Sequence, residues 1–205
     1  MRTKTINIYK FDELNKKAQE KAIENYRENY DINNILDEEL NSIKSIAYAI
    51  GVTYELNNYC GYEINLNFYY GNKTDDKMNL SGRRAIAYIY NNYISPNLKG
   101  KYYSTTGKYI DNKYEYKYTY SKCTKVFSCP FTGLYMDDDL YITFEKFCNK
   151  LKNNKQLKIS DFIEMLADIL SSDYNSQVNW LLSDENIIEE ININNIEFLE
   201  DGTVA

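Results

Sequence analysis

The chain contains no histidine. The commonest general base and the commonest transition-metal ligand are therefore missing, which excludes Ser–His–Asp, Cys–His and two-His metal chemistries. Four thiols remain: Cys60, Cys123, Cys129 and Cys148. Five residues separate Cys123 from Cys129, more than the two to four that usually space paired zinc ligands. The thiols read as structural groups of a reduced protein. Asp137, Asp138 and Asp139, and the pair Asp75–Asp76, are candidate ligands for a hard cation. Consecutive carboxylates do not converge by themselves, however, and the spaced ligands of a calcium loop are absent. The simpler account of Asp137–Asp139 is a helix N-terminus, where the dipole favours anions. No glycine-rich phosphate loop occurs. Arg83 and Arg84, after Gly82 at the start of a helix, form a candidate anion site, with solvated surface charge as the plainer alternative. No catalytic constellation, metal site or cofactor site emerges, so the residues point to a binding protein rather than an enzyme.

Charge is the strongest signal. From Ser160 to Ala205 there are eleven carboxylates and no Lys or Arg. That segment carries −11, while the whole chain carries −6. An acidic surface of this kind attracts basic surfaces and repels nucleic acid and anionic membranes. Asp161, Glu164 and Asp168 recur at i, i+3 and i+7 opposite an apolar stripe, so they share one helix face. Asp184, Glu185, Glu189 and Glu190 belong to the next helix, which Ser183 caps. These seven acids are candidate partner-binding residues that imitate a run of phosphates. Ordinary solvated helix faces are the plainer reading.

Lys99–Lys125 is the counterweight, with seven lysines against Asp111 and Glu115. Tyr114, Tyr116, Tyr118 and Tyr120 alternate with polar residues, so a strand should place all four rings on one face. The expectation is that this face packs on a helix and buries most of its ring area. Two alternatives are a protein contact through Tyr114, Tyr116 and Tyr118 and a stacking platform for single-stranded nucleic acid.

These groups need elements to position them. Thr3–Tyr9 alternates like a strand. Asp12 is placed to cap a helix from Glu13 to Tyr30, and a second helix over Asn33–Ile50 ends at Gly51. Val52–Leu56 and Tyr62–Tyr70 read as strands around a polar turn at Gly71–Asp76, and Leu80–Ile94 as a helix stopped by Ser95–Pro96. Helices follow at Asp138–Leu151, Ser160–Leu170, Tyr174–Leu182 and Asp184–Ile193, then a short strand at Ile196–Leu199. Trp180 is assigned to the core. The order implies an α+β fold with a small, mostly antiparallel sheet, several packed helices and a helical C-terminal third. Residues 1–135 read as an α+β region with Tyr-rich strands, and 136–205 as an acidic helical region on the same core. No apolar run is long enough to span a membrane and no signal segment is present, so the expected location is the cytoplasm.

Tyr9-Lys10-Phe11-Asp12-Glu13-Leu14, followed by Ala18 and Ala22, resembles the opening of a family of small, uncharacterised bacteriophage-encoded proteins. Ser183-Asp184-Glu185, Ile188, Asn194, Glu197-Phe198 and Asp201-Gly202 are similar to that family's closing segment. The middle departs from it: the Tyr-rich, Cys-bearing stretch stands where such proteins carry a Gly-rich aromatic one. The resemblance lends no catalytic residues. It implies phage origin and an accessory role, a class in which inhibitors of host defence, anti-CRISPR proteins included, are prominent. The leading expectation is therefore a stoichiometric inhibitor that binds the basic groove of a host defence protein such as a Cas effector, in the cytoplasm of the infected bacterium. The rival readings are a sponge for a nucleotide signal, using Arg83, Arg84 and tyrosines, and a single-stranded nucleic-acid-binding accessory protein.

Overall fold

The computed structural model describes residues 7–58, 62–69, 76–110 and 113–205. The fold is α+β, with antiparallel pairing throughout the two described sheets. The helices are α1 (Lys16–Asn29), α2 (Asn33–Ile50), α3 (Gly82–Ile89), α4 (Asp139–Asn153), α5 (Ile159–Leu181) and α6 (Asp184–Ile193). One two-stranded sheet pairs β1 (Thr53–Asn58) with β2 (Ile64–Tyr69), and the other pairs β3 (Lys99–Ile110) with β4 (Lys113–Val126). No helix among the described residues is long and apolar enough to cross a membrane.

The chain forms two compact units, Met1–Leu36 with Tyr174–Ala205, and Asp37–Asp173. The division falls within α2 and α5, not at residue 136, where the patterning changes from Tyr-rich strands to acidic helices.

The first unit joins the two ends of the described chain. Tyr9 and Phe198 exchange backbone hydrogen bonds of 2.8 and 2.9 Å. The expected strand at Thr3–Tyr9 lies mostly outside the described residues, and Ile196–Leu199 contributes only this bridge and one from Phe198 to Val204. Phe11–Glu13 forms a 3-10 turn, and α1 begins after it, at Lys16. The cap is Asn15, whose Oδ1 accepts the Ala18 N–H at 3.0 Å. Asp12 is thus not the cap: the chain turns once before the helix begins, and the residue adjoining the first helical turn holds the capping geometry. Ala18 and Ala22 lie one turn apart and are buried with Phe11, Leu14, Ile187, Ile191 and Phe198. Small side chains here permit close backbone approach. The Phe11 and Phe198 rings meet edge-on at 6.3 Å, an arrangement favoured by the ring quadrupole.

The second unit is built around the first two-thirds of α5. Phe162, Leu166 and Leu170 recur every four residues with no exposure. Phe162 receives Phe147 of α4 edge-on at 5.7 Å and stacks on Tyr93 at 6.3 Å. In β2, Ile64 and Leu66 are buried and Phe68 is half-buried, the alternation expected of a one-sided strand. Helix α2 ends as anticipated: Gly51 adopts φ +72°, and Val52 N–H donates to Ala47 O at 3.0 Å. The single helix expected at Leu80–Ile94 is instead α3, a wider π turn at Tyr90–Ile94, and a 3-10 turn carrying Pro96. The polar turn expected at Gly71–Asp76 lies outside the described residues except at Asp76. Ser160–Leu170 and Tyr174–Leu182 are one continuous helix, α5. The expected break at Ser171–Asp173 does not occur, because Ser171 Oγ accepts the Leu66 N–H at 3.0 Å instead of competing for its own helix.

Gly202 gives a sharp test of the first unit. It has φ +84°, and a Cβ there would lie 2.2 Å from the Ala18 carbonyl oxygen. Gly202→Ala should cost about 3 kcal/mol in urea unfolding, combining backbone strain with overpacking. Gly51→Ala, at φ +72° with nothing within 4 Å of the added carbon, should cost only about 1 kcal/mol. Equal losses would show that the close approach to Ala18 contributes nothing.

Candidate functional site

At 100° per residue, α5 turns Glu164 and Asp168 away from the Phe162–Leu166–Leu170 stripe and sets Ile163 and Ala167 between them. Both acids are exposed, and among the described residues neither forms a salt bridge. Asp161 is placed differently. Its Oδ2 accepts the Lys158 N–H at 2.7 Å, so it secures the start of α5 and is only partly exposed.

Beside this helix face, β2 closes a cleft of about 520 Å³. Ile163, Ala167, Leu66, Phe68 and Met78 supply apolar walls, and Glu164 and Asp168 supply carboxylates, with Asn65, Asn67 and Ser160 as further polar lining. Among the described residues no Lys or Arg lines the cleft. The volume lies within the ordinary range for ligand pockets. Its chemistry fits a cation on an aliphatic stem: the methylenes meet the apolar walls and the charged head meets the two acids. The two carboxylates would repel a phosphate.

The acids of α6 lie in the other unit. Ser183 Oγ accepts the Asn186 N–H at 3.2 Å, the expected cap. Asp184 is paired with Arg27, whose Nε also donates to Leu182 O at 2.9 Å. Asp201 pairs with Lys21 at 2.7 Å. The acidic segment is therefore not without counter-charge, as its composition suggests: α1 supplies two cations from the opposite end of the sequence. Glu190 accepts from Asn194 at 3.1 Å, while Glu185 and Glu189 are exposed.

The tyrosine face departs from expectation. Tyr116, Tyr118 and Tyr120 are 60, 56 and 51% exposed, so this face is not packed on a helix. Strands β3 and β4 pack chiefly on each other, and a two-stranded ribbon without a covering layer leaves its faces in solvent. Tyr114 pairs with Tyr109 in the ladder, and its side chain lies outside the described residues. Trp180, assigned to the core, is 53% exposed: the buried residues of this end of α5 are Tyr174, Val178 and Leu181, and Trp180 stands off that face with exposed Ser176, one turn earlier. Arg83 and Arg84 are exposed in the first turn of α3, and neither lines the cleft. Cys123, Cys129 and Cys148 are free thiols; Cys60 lies outside the described residues. Burial pushes the Cys129 and Cys148 thiols up. Among the described residues no cluster of three or more Cys, Asp or Glu is arranged to hold a metal.

Sequence reasoning missed a set of buried carboxyls in the second unit. Asp137 is fully buried and accepts the N–H groups of Phe131, Thr132 and Gly133 at 2.9, 2.8 and 3.0 Å, so it folds the loop before α4. Asp139, 2% exposed, opens α4 and lies against Asp173 of α5. Burial, then the charge and hydrogen bond of Asp173, raise the Asp139 carboxyl to about 8; Lys146 pulls weakly the other way. Glu39, 4% exposed, is raised by burial and by Glu38, Asp137 and Asp173. The Tyr135 phenol is pushed up to about 12 by partial burial and by Glu39, Asp173 and Asp139. Among the described residues, Asp139 Oδ2 and Glu39 Oε2 are buried without hydrogen-bond partners. A proton held between Asp139 and Asp173 is the economical solution, since two like charges in contact cannot both ionise cheaply. The aspartate run hinted at a helix start, but only tertiary packing brings Asp173 to it.

Because Asp139 binds its proton more tightly folded than unfolded, its contribution is full below the unfolded pKa near 4 and is lost as pH rises through about 8. Urea unfolding should show stability falling across that window, by at most about 1.4 kcal/mol per pH unit for one proton. Asp139→Asn should flatten the fall, and an unchanged slope in that variant would remove Asp139 as its source. No protein-family model, curated protein or solved structure matches the chain.

Proposed function

We propose that the protein is a phage counter-defence protein that binds, in stoichiometric amounts, a basic nucleic-acid-binding surface of a host defence nuclease. The supporting observation is the cleft beside α5, where Glu164 and Asp168 stand exposed, without salt bridges among the described residues, next to apolar walls. Lysine and arginine side chains of a nucleic-acid channel present the complementary chemistry. Their stems cover the apolar walls and their heads exchange phosphate for carboxylate. The nucleotide-sponge reading finds less support, because the cleft is anionic and Arg83 and Arg84 do not line it.

The test is inhibition of purified RNA-guided nuclease effectors by the whole chain. Inhibition should saturate near equimolar ratio, weaken as salt rises, and be competed by the nucleic acid that the effector normally holds. Glu164→Lys/Asp168→Lys keeps the Asp161 hydrogen bond at the start of α5 and should fold normally. It should inhibit at least about 10-fold more weakly, since each attraction becomes a repulsion. Full inhibition by that variant would move the contact to Glu185 and Glu189. Inhibition of no effector by the wild-type chain would reject the proposal.

A further inference from the structure

The β3–β4 hairpin carries an aromatic face whose cross-strand partners leave it open. Tyr118 stands opposite Thr105 and Tyr116 opposite Gly107. Tyr120 stands opposite Tyr102. Tyr102, Tyr118 and Tyr120 form a ring cluster with centroids 5.9 to 6.5 Å apart. All four tyrosines are roughly half-exposed or more. Successive rings of β4 recur at i, i+2, about 6.8 Å along the strand. Lys99, Lys101, Lys122 and Lys125 are exposed toward the open end of the same two strands, while Lys108 and Lys117 alternate onto the opposite face with Glu115, the one acid among the described hairpin residues.

An aromatic row costs little ordering entropy, offers a π face to any base, and is here edged by cations. The geometry points to a binding platform for single-stranded nucleic acid on this hairpin, with bases stacked on Tyr116, Tyr118 and Tyr120 and phosphates neutralised by the flanking lysines. The charge complementarity selects this occupant: a basic protein surface would be repelled by the same lysines. A duplex is disfavoured, because its bases are stacked internally and cannot reach the rings. Screening over about 8 Å at physiological salt weakens the effect of acids elsewhere in the chain. The platform uses none of the residues of the α5 cleft and stands or falls independently of it.

The experiment is fluorescence anisotropy of the whole chain with labelled oligo(dT) and oligo(rU) of about 20 nucleotides, long enough to cover one binding face, and with a duplex of equal length. Both single strands should bind, with a log–log salt slope no steeper than about −3, the limit set by the four lysines toward the open end of the hairpin; a preference between them tells DNA from RNA. The triple Tyr116→Ala/Tyr118→Ala/Tyr120→Ala variant should bind at least about 10-fold more weakly at unchanged melting temperature, while the triple Phe variant should bind like the wild type. Glu164→Lys/Asp168→Lys should retain single-strand binding, which separates this platform from the acidic cleft. Equal binding of the duplex, undiminished binding by the triple alanine variant, or no single-strand binding by the wild-type chain overturns the platform. Loss of nuclease inhibition in the alanine variant with oligonucleotide binding intact would also overturn it, and would assign the face to a protein instead.

Discussion

Phe162, Leu166 and Leu170 lose all their solvent exposure along one side of α5, and most of the functional geometry of the second unit follows from that burial. Each buried side chain of this size is worth about 1.5–3 kcal/mol, so the rotation of the helix about its axis is not free to drift. Two polar contacts sharpen it. Ser171 ties the helix to β2 through the Leu66 N–H, and Asp173 meets Asp139 of α4. With the stripe fixed inward, Glu164 and Asp168 have one direction left, and it opens on the cleft. The acids are ordered because the apolar residues between them are.

What was legible in the chain follows the range of the forces involved. Helix α6 begins and ends where its local signals put it, because Ser183, Asp184 and Glu185 act within one turn. Helix α2 ends at Gly51 for the same reason. The continuity of α5 was not legible, since Ser171–Ser172–Asp173 is a break by propensity and becomes helix only when β2 and α4 take up Ser171 and Asp173. The exposure of the tyrosine face was illegible too. Period-two spacing fixes which residues share a face, but not whether another layer covers it. Of the candidate partner residues, Glu164 and Asp168 converge on a cleft, Asp161 serves its own helix, and Asp184 is neutralised by Arg27, 157 residues away in sequence.

The charge arrangement is better described as sorting than as excess. The cations that α1 contributes, Lys21 and Arg27, answer Asp201 and Asp184 in the first unit. In the second unit, the buried Asp139–Asp173 contact is relieved by keeping a proton. Elsewhere in that unit, α5 exposes Glu164 and Asp168 while the β3–β4 hairpin exposes mainly lysines.

The pairing of Tyr9 with Phe198 has a consequence for how the molecule is made. The apolar residues of α1 are synthesised well before Ile187, Ile191 and Phe198, which cover them. At about 5–20 residues per second this leaves α1 without its partners for roughly ten to thirty seconds. The second unit is one uninterrupted stretch of chain, Asp37–Asp173, and can complete its core in that interval. Assembly is thus ordered in time, with the second unit settling before the two segments of the first unit meet. During that wait the burden of staying soluble falls on the many charges of α1, which separate its few apolar positions.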